Sequence, residues 1–153
     1  MKIGDRLPNV MLDSTSDKRV NLSELKDTNV IVYFYPKDST SGCTTEGQDF
    51  RDLYKQFESH NCVIFGVSRD TIKSHEKFKL KHEFPFELLS DPDEQLCKTF
   101  DVIKLKKLYG KEYLGIERST FLFNHKGVLS NDWRKVRVKG HVEAVLEAVK
   151  QLN

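Results

Sequence analysis

The chain alternates between continuous apolar runs and segments in which apolar residues recur every three or four positions. The run "NVIVYFY" (Asn29 to Tyr35) is mostly apolar, β-branched or aromatic, which predicts a strand buried on both faces and ended by Pro36. Cys62 to Ser68 predicts a second buried strand. Between them, four apolar residues follow the i, i+3, i+4, i+7 spacing of a helix: Phe50, Leu53, Tyr54 and Phe57.

Two further helices and a short strand are predicted in the middle of the chain. Asp70 is the expected N-cap of a polar helix that continues to about His82. A later helix is predicted with Asp91 as N-cap, Pro92 at its first position and acidic residues in its first turn. Phe86 to Leu89, between the two helices, predicts a short strand.

The last third of the chain predicts an antiparallel hairpin followed by a helix. Ser119 to Asn124 and Val128 to Trp133 form the two arms of the hairpin, and five apolar residues from Val142 to Leu152 lie on one helical stripe. The two buried strands, joined by a crossover helix, should be parallel. We therefore expect a single α/β domain over residues 1–153, with a central mixed sheet flanked by helices, and the thioredoxin-like fold is the natural candidate.

Composition excludes several classes of protein. The 153 residues are 38% hydrophobic and 31% charged, as in one globular domain, and a net charge of +2 gives no strong field for nucleic acid. The lysine-rich stretch from Ile103 to Lys111 is predicted to be a solvated face with apolar residues turned inward. No apolar run has the length of a signal peptide or a membrane span, so a cytoplasmic protein without membrane contact is expected.

Three widely spaced cysteines, Cys43, Cys62 and Cys97, do not fit a disulfide scaffold and indicate a reducing compartment. Cys43 begins a predicted helix in "KDSTSGCTTEGQDFRD". Free backbone N–H groups and the positive end of the helix dipole favour a thiolate at such a position. Gly42 allows close approach of a small ligand, and the Thr40 hydroxyl can donate to a bound oxygen or to the sulfur. A buried, inert thiol at a helix start is the alternative that these residues leave open.

Metal and cofactor sites find little support in the sequence. The five histidines are scattered, and only His75 and His82 share a predicted helix face, with no cysteine at ligand spacing. The chain has no glycine-rich phosphate loop and no Cys-x-x-Cys. We therefore expect neither a metal nor another cofactor.

The pattern Pro36-x-x-x-Thr40-x-x-Cys43 resembles the active-site motif of the peroxiredoxins. The longer string "YFYPKDSTSGCTTEGQDFRD" is similar to the branch known as bacterioferritin comigratory protein, or peroxiredoxin Q. The likeness continues through "VIFGVSRD", "FELLSDPDEQLCKTFDV", "ERSTFLFNHKG" and "WRKVRVKGHVEAVLEAV", and so covers nearly the whole chain.

The resemblance implies a thiol peroxidase on a thioredoxin-like fold. Cys43 would be the peroxidatic cysteine, which attacks hydrogen peroxide or an organic hydroperoxide and becomes a sulfenic acid. Thr40 would align the peroxide, and Pro36 would shield the thiolate. The arginine of the family corresponds to Arg118, whose guanidinium would stabilise both the sulfur anion and the charge on the leaving oxygen.

The chain also departs from this branch. Gln48 occupies the position at which many members carry a resolving cysteine, Ser41 replaces a usual proline, and Gly47 replaces a common alanine. A one-cysteine mechanism is therefore favoured, with thioredoxin, glutaredoxin or a small thiol as external reductant. Cys97 remains the internal alternative as resolving thiol, whereas Cys62 is expected to be a thiol at the edge of the core.

Two residues one turn into the helix, Glu46 and Arg51, are expected to form a surface pair or to support the loop. The features of Cys43 also fit a second function, in which a peroxide sensor passes its oxidation to a partner protein. The expected substrate is a hydroperoxide, and the resemblance implies a monomer.

Overall fold

The computed structural model describes residues 1–152. Its nine strands are β1 (Met11–Ser14), β2 (Lys18–Asn21), β3 (Asn29–Phe34), β4 (Cys62–Ser68), β5 (Glu87–Ser90), β6 (Ile103–Leu108), β7 (Lys111–Ile116), β8 (Ser119–Phe123) and β9 (Leu129–Trp133). Its five α-helices are α1 (Ser41–Asp52), α2 (Tyr54–Ser59), α3 (Ile72–His82), α4 (Gln95–Thr99) and α5 (His141–Gln151).

Seven strands form one mixed sheet in the order β2-β1-β5-β4-β3-β8-β9. The three central strands β3, β4 and β5 are parallel, as the crossover connections predict, and the remaining neighbours are antiparallel. The predicted mixed sheet and the late hairpin are therefore confirmed. The strand predicted at Phe86 to Leu89 lies one residue later in the chain, at Glu87–Ser90.

Strand β3 is buried along its whole length because it lies between two apolar cores. Val30, Val32 and Phe34 face a core that α4 completes. Ile31 and Tyr33 face the opposite core, which contains side chains of α1, α2, α3 and α5. The period of two along a strand sends alternate side chains to opposite faces, which explains the unbroken apolar run in the sequence.

Both helix caps predicted in the middle of the chain were wrong. The N-cap of α3 is Thr71, whose side chain accepts from the N–H of Ser74, because the carboxylate of Asp70 is turned toward another loop. Helix α4 begins only at Gln95, after a turn closed by the hydrogen bond from Glu94 N to Asp91 O. Asp91 still accepts from a helical N–H, that of Cys97, at 2.7 Å.

The lysine-rich stretch does not form the expected face with apolar residues turned inward. It is one arm of a separate two-stranded hairpin, β6–β7, in which Leu105, Leu108 and Leu114 are all exposed. The tip has positive φ at Tyr109 (52°) and Gly110 (76°), as a two-residue type I′ turn requires. The hairpin has no hydrogen-bonded pairing with the seven-stranded sheet, and its core contacts are made at its base, where Ile116 is buried and Ile103 packs beside it.

The helical pattern from Phe50 to Phe57 is divided between two helices, since Leu53 has a ψ of 5° and ends α1. Within residues 1–152, no helix combines the length and the apolar character that a bilayer crossing requires.

Candidate active site

Cys43 lies in the first turn of α1, just beyond the carboxyl end of β3. Its thiol is 1% exposed and packs in the core on the α1 side of the sheet. Thr40 is the N-cap residue of the helix, and its carbonyl accepts from the N–H of Thr44. The side chain of this N-cap residue makes no hydrogen bond to the helix, so it leaves the first N–H groups of α1 without a capping oxygen.

Within the described residues, the one side-chain hydrogen bond to this sulfur comes from Arg118. This residue stands in the short connection between β7 and β8, and its Nη2 donates to the Sγ of Cys43 at 3.3 Å. A guanidinium donor at this distance places a permanent positive charge beside the sulfur. The structure thus brings together two residues that lie 75 positions apart in the chain.

Glu46 binds the other side of the Arg118 guanidinium. The expected surface pair of Glu46 with Arg51 is therefore wrong. Its Oε1 accepts from Arg118 Nη1 at 2.7 Å, and its side chain is fully buried. Burial raises the pKa of Glu46 to about 7, although Arg118 opposes that rise. Arg51 instead donates to Asp52 and to the carbonyl of His82. The spacing of Glu46, three residues after Cys43, was the available signal that both face the same side of the helix.

The remaining motif residues line the loop that leads to Cys43. The Thr40 hydroxyl donates to the carbonyl of Lys37 at 2.8 Å, so its hydrogen is used within the loop and its lone pairs remain available as acceptors. Pro36 is half-buried at the start of the loop. A Cβ on Gly42 would lie 3.1 Å from Arg118 Nη2, so glycine is what allows the guanidinium to lie so close to the helix.

A buried network fixes the same loop from the side of α3, and sequence reasoning missed it. The carboxylate of Asp38 accepts from the hydroxyl groups of Tyr35 (2.6 Å) and Ser74 (2.7 Å), and it lies 2.7 Å from His75 Nδ1. The other nitrogen of His75 lies 2.9 Å from the carbonyl oxygen of Leu89. Because Asp38 falls between Pro36 and Thr40, this network ties the motif to the body of the fold.

Asp70 adds a second tie, since its Oδ2 accepts from the backbone N–H of Asp38 at 2.9 Å and from Ser68 Oγ at 2.6 Å. Ligand atoms of Asp38, Asp70 and His75 lie within 4.8 Å of one another. Hydrogen bonds already engage the atoms that would have to bind a cation. We therefore interpret the cluster as a set of contacts that holds the loop in place.

Cys97 does not share the surroundings of Cys43. It is fully buried in the core on the α4 side of the sheet, whereas Cys43 lies in the core on the α1 side. Burial first, and then the charge of Asp91, raise the pKa of the Cys97 thiol. The sheet therefore separates the two sulfurs.

Cys62 lies at the opposite end of the parallel strands. It is paired with Asn29 at the start of β3, whereas Cys43 follows the end of that strand. Burial raises the pKa of Cys62 to about 12, which fits the expected thiol at the edge of the core. Gln48, at the position where a resolving cysteine was sought, lies 3.5 Å from the imidazole of His82.

Comparison with known proteins assigns this site to a family. The sequence profile of the AhpC/TSA family matches residues 3–131. Peroxiredoxin Bcp of Bacillus subtilis is 48% identical over 153 residues, which are 100% of this chain and 98% of the relative. The chain belongs to the AhpC/TSA family of peroxiredoxins. Within the peroxiredoxins, Peroxiredoxin Bcp of Xanthomonas campestris is 57% identical over 121 residues, 79% of this chain and 76% of the relative.

Solved peroxiredoxins confirm both the fold and the branch. The Xanthomonas campestris bacterioferritin comigratory protein, studied for alkyl peroxide reduction, superposes with a TM-score of 0.91 at 47% identity, over 98% of each chain. A peroxiredoxin Q mutant of Xylella fastidiosa gives a TM-score of 0.93 at 45% identity, over 99% of this chain and 96% of the other. The thioredoxin-like fold and the resemblance to this peroxiredoxin branch are thus confirmed, and the chain is a thiol peroxidase.

Proposed function

We propose that Cys43 is the peroxidatic cysteine and that Arg118 is the residue that prepares it. The hydrogen bond from Arg118 Nη2 to the Cys43 sulfur carries this assignment. It places a permanent cation beside a sulfur that already lies at the start of a helix. Among residues 1–152, no such donor bonds to the sulfur of Cys62 or Cys97, and burial raises the pKa of both thiols.

The reaction begins from a thiolate at Cys43, and negative charge develops on the leaving oxygen of the peroxide. The Cys43 thiolate attacks the terminal oxygen of the hydroperoxide, so that an S–O bond forms while the O–O bond breaks. The proton of the peroxide passes to the leaving oxygen, which departs as alcohol or water, and the sulfenate takes up a proton from water to become the sulfenic acid. Arg118 donates hydrogen bonds first to the sulfur and then to the leaving oxygen, as negative charge moves from one atom to the other. Thr40 accepts from the peroxide O–H through a lone pair of its hydroxyl, because its own hydrogen is bound to Lys37 O. Pro36 limits the access of water from the loop side.

The sulfenic acid is then reduced by a thiol from outside the chain. Gln48 cannot form a disulfide, Cys97 lies across the sheet and Cys62 lies at the other end of the strands. These positions support a one-cysteine mechanism over resolution by Cys97, which would need Cα atoms within about 7 Å. An external thiol attacks the Cys43 sulfur and releases water, and a second thiol resolves the mixed disulfide. Thioredoxin or glutaredoxin is the expected reductant, in a cytoplasm that keeps such thiols reduced.

The substrate class follows from the reaction and from a relative. Hydrogen peroxide and organic hydroperoxides share the O–O bond that the sulfur attacks. The Xanthomonas campestris relative has been studied for alkyl peroxide reduction, which supports organic hydroperoxides as substrates here. The resemblance to this branch leads us to propose that the chain acts as a monomer.

The test is mass spectrometry after one equivalent of peroxide, combined with steady-state peroxide consumption. We expect trapped sulfenic acid at Cys43, loss of consumption in Cys43→Ser, and retained consumption in Cys62→Ser and Cys97→Ser. A quantitative Cys43–Cys97 disulfide would contradict the one-cysteine mechanism. Consumption of a single equivalent under every reductant would instead favour the sensor or relay. Retained activity of Cys43→Ser would remove the assignment altogether.

A further inference from the structure

The β6–β7 hairpin exposes an unusual share of the apolar surface. The described chain exposes eight large hydrophobic side chains, of which five lie on this hairpin, at exposures from 44% to 96%: Leu105, Leu108, Tyr109, Tyr113 and Leu114. Leu105 and Leu114 are paired on one face of the hairpin, Leu108 and Tyr113 lie on the other, and Tyr109 lies at the tip. So many exposed apolar groups on one element indicate a surface that another molecule covers. The peroxidase chemistry at Cys43 does not itself use any of them.

The same hairpin is also basic. Between Ile103 and Ile116 it carries four lysines and one glutamate, a net charge of +3, whereas the rest of the chain carries −1. Lys107 is paired with Glu112 across the strands, but Lys111 makes no ion pair among the described residues. A partner that covers the apolar side chains would therefore be favoured if its rim were acidic.

The hairpin adjoins the active site. Strand β7 ends two residues before Arg118, which binds the Cys43 sulfur. Burial lowers the pKa of Lys106, with Arg118 adding to the decrease and the Cys43 sulfur opposing it, which places this lysine in the field of the site. Arg69 also donates to the carbonyl of Leu114 and pairs with Glu94, so the hairpin is fixed to the body of the fold.

We propose that the β6–β7 hairpin is the docking surface for a protein thiol that reduces oxidised Cys43, with acidic side chains around an apolar contact face. This inference rests on the proposed one-cysteine mechanism, in which every turnover needs a thiol from another molecule. Cys43 is 1% exposed, so the reductant must stay in place while the loop opens. A basic apolar surface beside the sulfur supplies that contact.

The alternatives fit the surface less well. A second copy of this chain would bring two charges of +3 together, and that repulsion disfavours a hairpin-to-hairpin dimer. A lipid surface would engage the tip at Leu108 and Tyr109, yet Leu105 and Leu114 are paired on one broad face of the hairpin, away from the tip. A protein can contact both the face and the tip.

The decisive experiment compares two reductants on the same variants. Dithiothreitol is small and needs no docking surface, whereas thioredoxin (with its reductase and NADPH) and glutaredoxin (with its own reducing system) do. Tyr109→Asn removes the aromatic ring and gives the type I′ turn its preferred Asn-Gly pair, so the hairpin stays folded. Leu105→Thr with Leu114→Thr replaces the apolar cross-strand pair by one that strands also favour.

We expect these variants to raise the KM for the protein reductant about tenfold, while turnover with dithiothreitol stays within about twofold of the wild type. Lys111→Glu should raise that KM as well and weaken its dependence on salt. Two exposed residues of α3 give matched controls, Leu80→Gln for the apolar loss and Lys77→Glu for the charge change, and neither should alter the KM.

Several outcomes would overturn the docking surface. An unchanged KM in the hairpin variants would do so, as would an equal loss of turnover with dithiothreitol, or a wild type that neither protein reductant serves better than dithiothreitol. The surface would belong to another partner in two cases. In the first, the wild type is a dimer and the hairpin variants are monomers. In the second, the wild type binds phosphatidylserine vesicles and the variants lose that binding without any change in the KM. Turnover of the wild type with dithiothreitol, measured first, tests the peroxidase separately.

Discussion

At the scale of single residues, Gly42 controls how closely Arg118 approaches the catalytic sulfur. In Gly42→Ala the new Cβ would lie 3.1 Å from Nη2, so the guanidinium must move by a few tenths of an ångström. We expect the rate constant for peroxide to fall about tenfold, because a hydrogen bond to the reacting sulfur is weakened. Stopped-flow kinetics measure this, and unfolding should show no loss of stability, since alanine favours a helix by about 1 kcal/mol.

Gly47, one turn later, serves packing rather than chemistry. A Cβ there would overlap the ring of Phe84, which stacks on Phe86 at a centroid distance of 5.2 Å. Gly47→Ala should therefore lower the free energy of unfolding by about 1–3 kcal/mol despite its better helix propensity. Denaturant unfolding measures the change. If Gly47→Ala were more stable than the wild type, the aromatic rings would have moved aside at no cost. Gly42→Ala is the control, since it makes the same substitution without overlapping an aromatic ring.

At the scale of elements, the network around Asp38 joins the active-site loop to α3. Ser74→Ala removes one neutral donor and should cost about 1 kcal/mol. Asp38→Asn should cost about 3 kcal/mol, because its amide would face donors and His75 would lose its buried carboxylate. We also expect slower peroxide reaction in Asp38→Asn than in Ser74→Ala. Equal stability and equal rates in the two variants would show that the network does not position the loop.

At the scale of the whole molecule, the free energy of unfolding depends on pH through two buried groups, Glu46 and His141, whose effects have opposite signs. Burial raises the pKa of Glu46 from 4.5 to about 7, so the folded chain keeps a proton that the unfolded chain releases, and stability falls as pH rises through that window. Burial lowers the pKa of His141 from 6.5 to about 4, so stability rises with pH between those values. Each contributes at most about 1.4 kcal/mol per pH unit.

The two slopes should largely cancel between pH 4.5 and 6.5 in the wild type. Glu46→Gln keeps an acceptor for Arg118 and removes the falling slope, so its stability should increase with pH across this window. His141→Gln should instead make stability decrease with pH relative to the wild type, since His141 no longer opposes the Glu46 contribution. Urea unfolding at several pH values tests both variants. Slopes of the same sign in the two would contradict the opposed contributions.

Prediction from sequence succeeded where the signal was local and strong. The unbroken apolar run of β3 required burial on both faces, and the crossover required parallel neighbours, so the central sheet was predictable. Local signals misplaced two caps, because the carboxylate of Asp70 has a tertiary partner and the backbone carbonyl of Asp91 closes a turn before the helix begins. The exposed leucines of β6–β7 also escaped prediction, since an apolar residue in a strand normally signals burial.

The sequence by itself determined the fold class, the family resemblance and the position of Cys43 at the start of a helix. These depend on neighbours in the chain, through periodicity, helix-end chemistry and motif spacing. Only the tertiary structure decided that Glu46 is buried against Arg118, that Asp38 is held by α3, and that the sheet separates Cys43 from Cys97. Such contacts join residues tens of positions apart, and their energies depend on distance and burial, which no local pattern encodes.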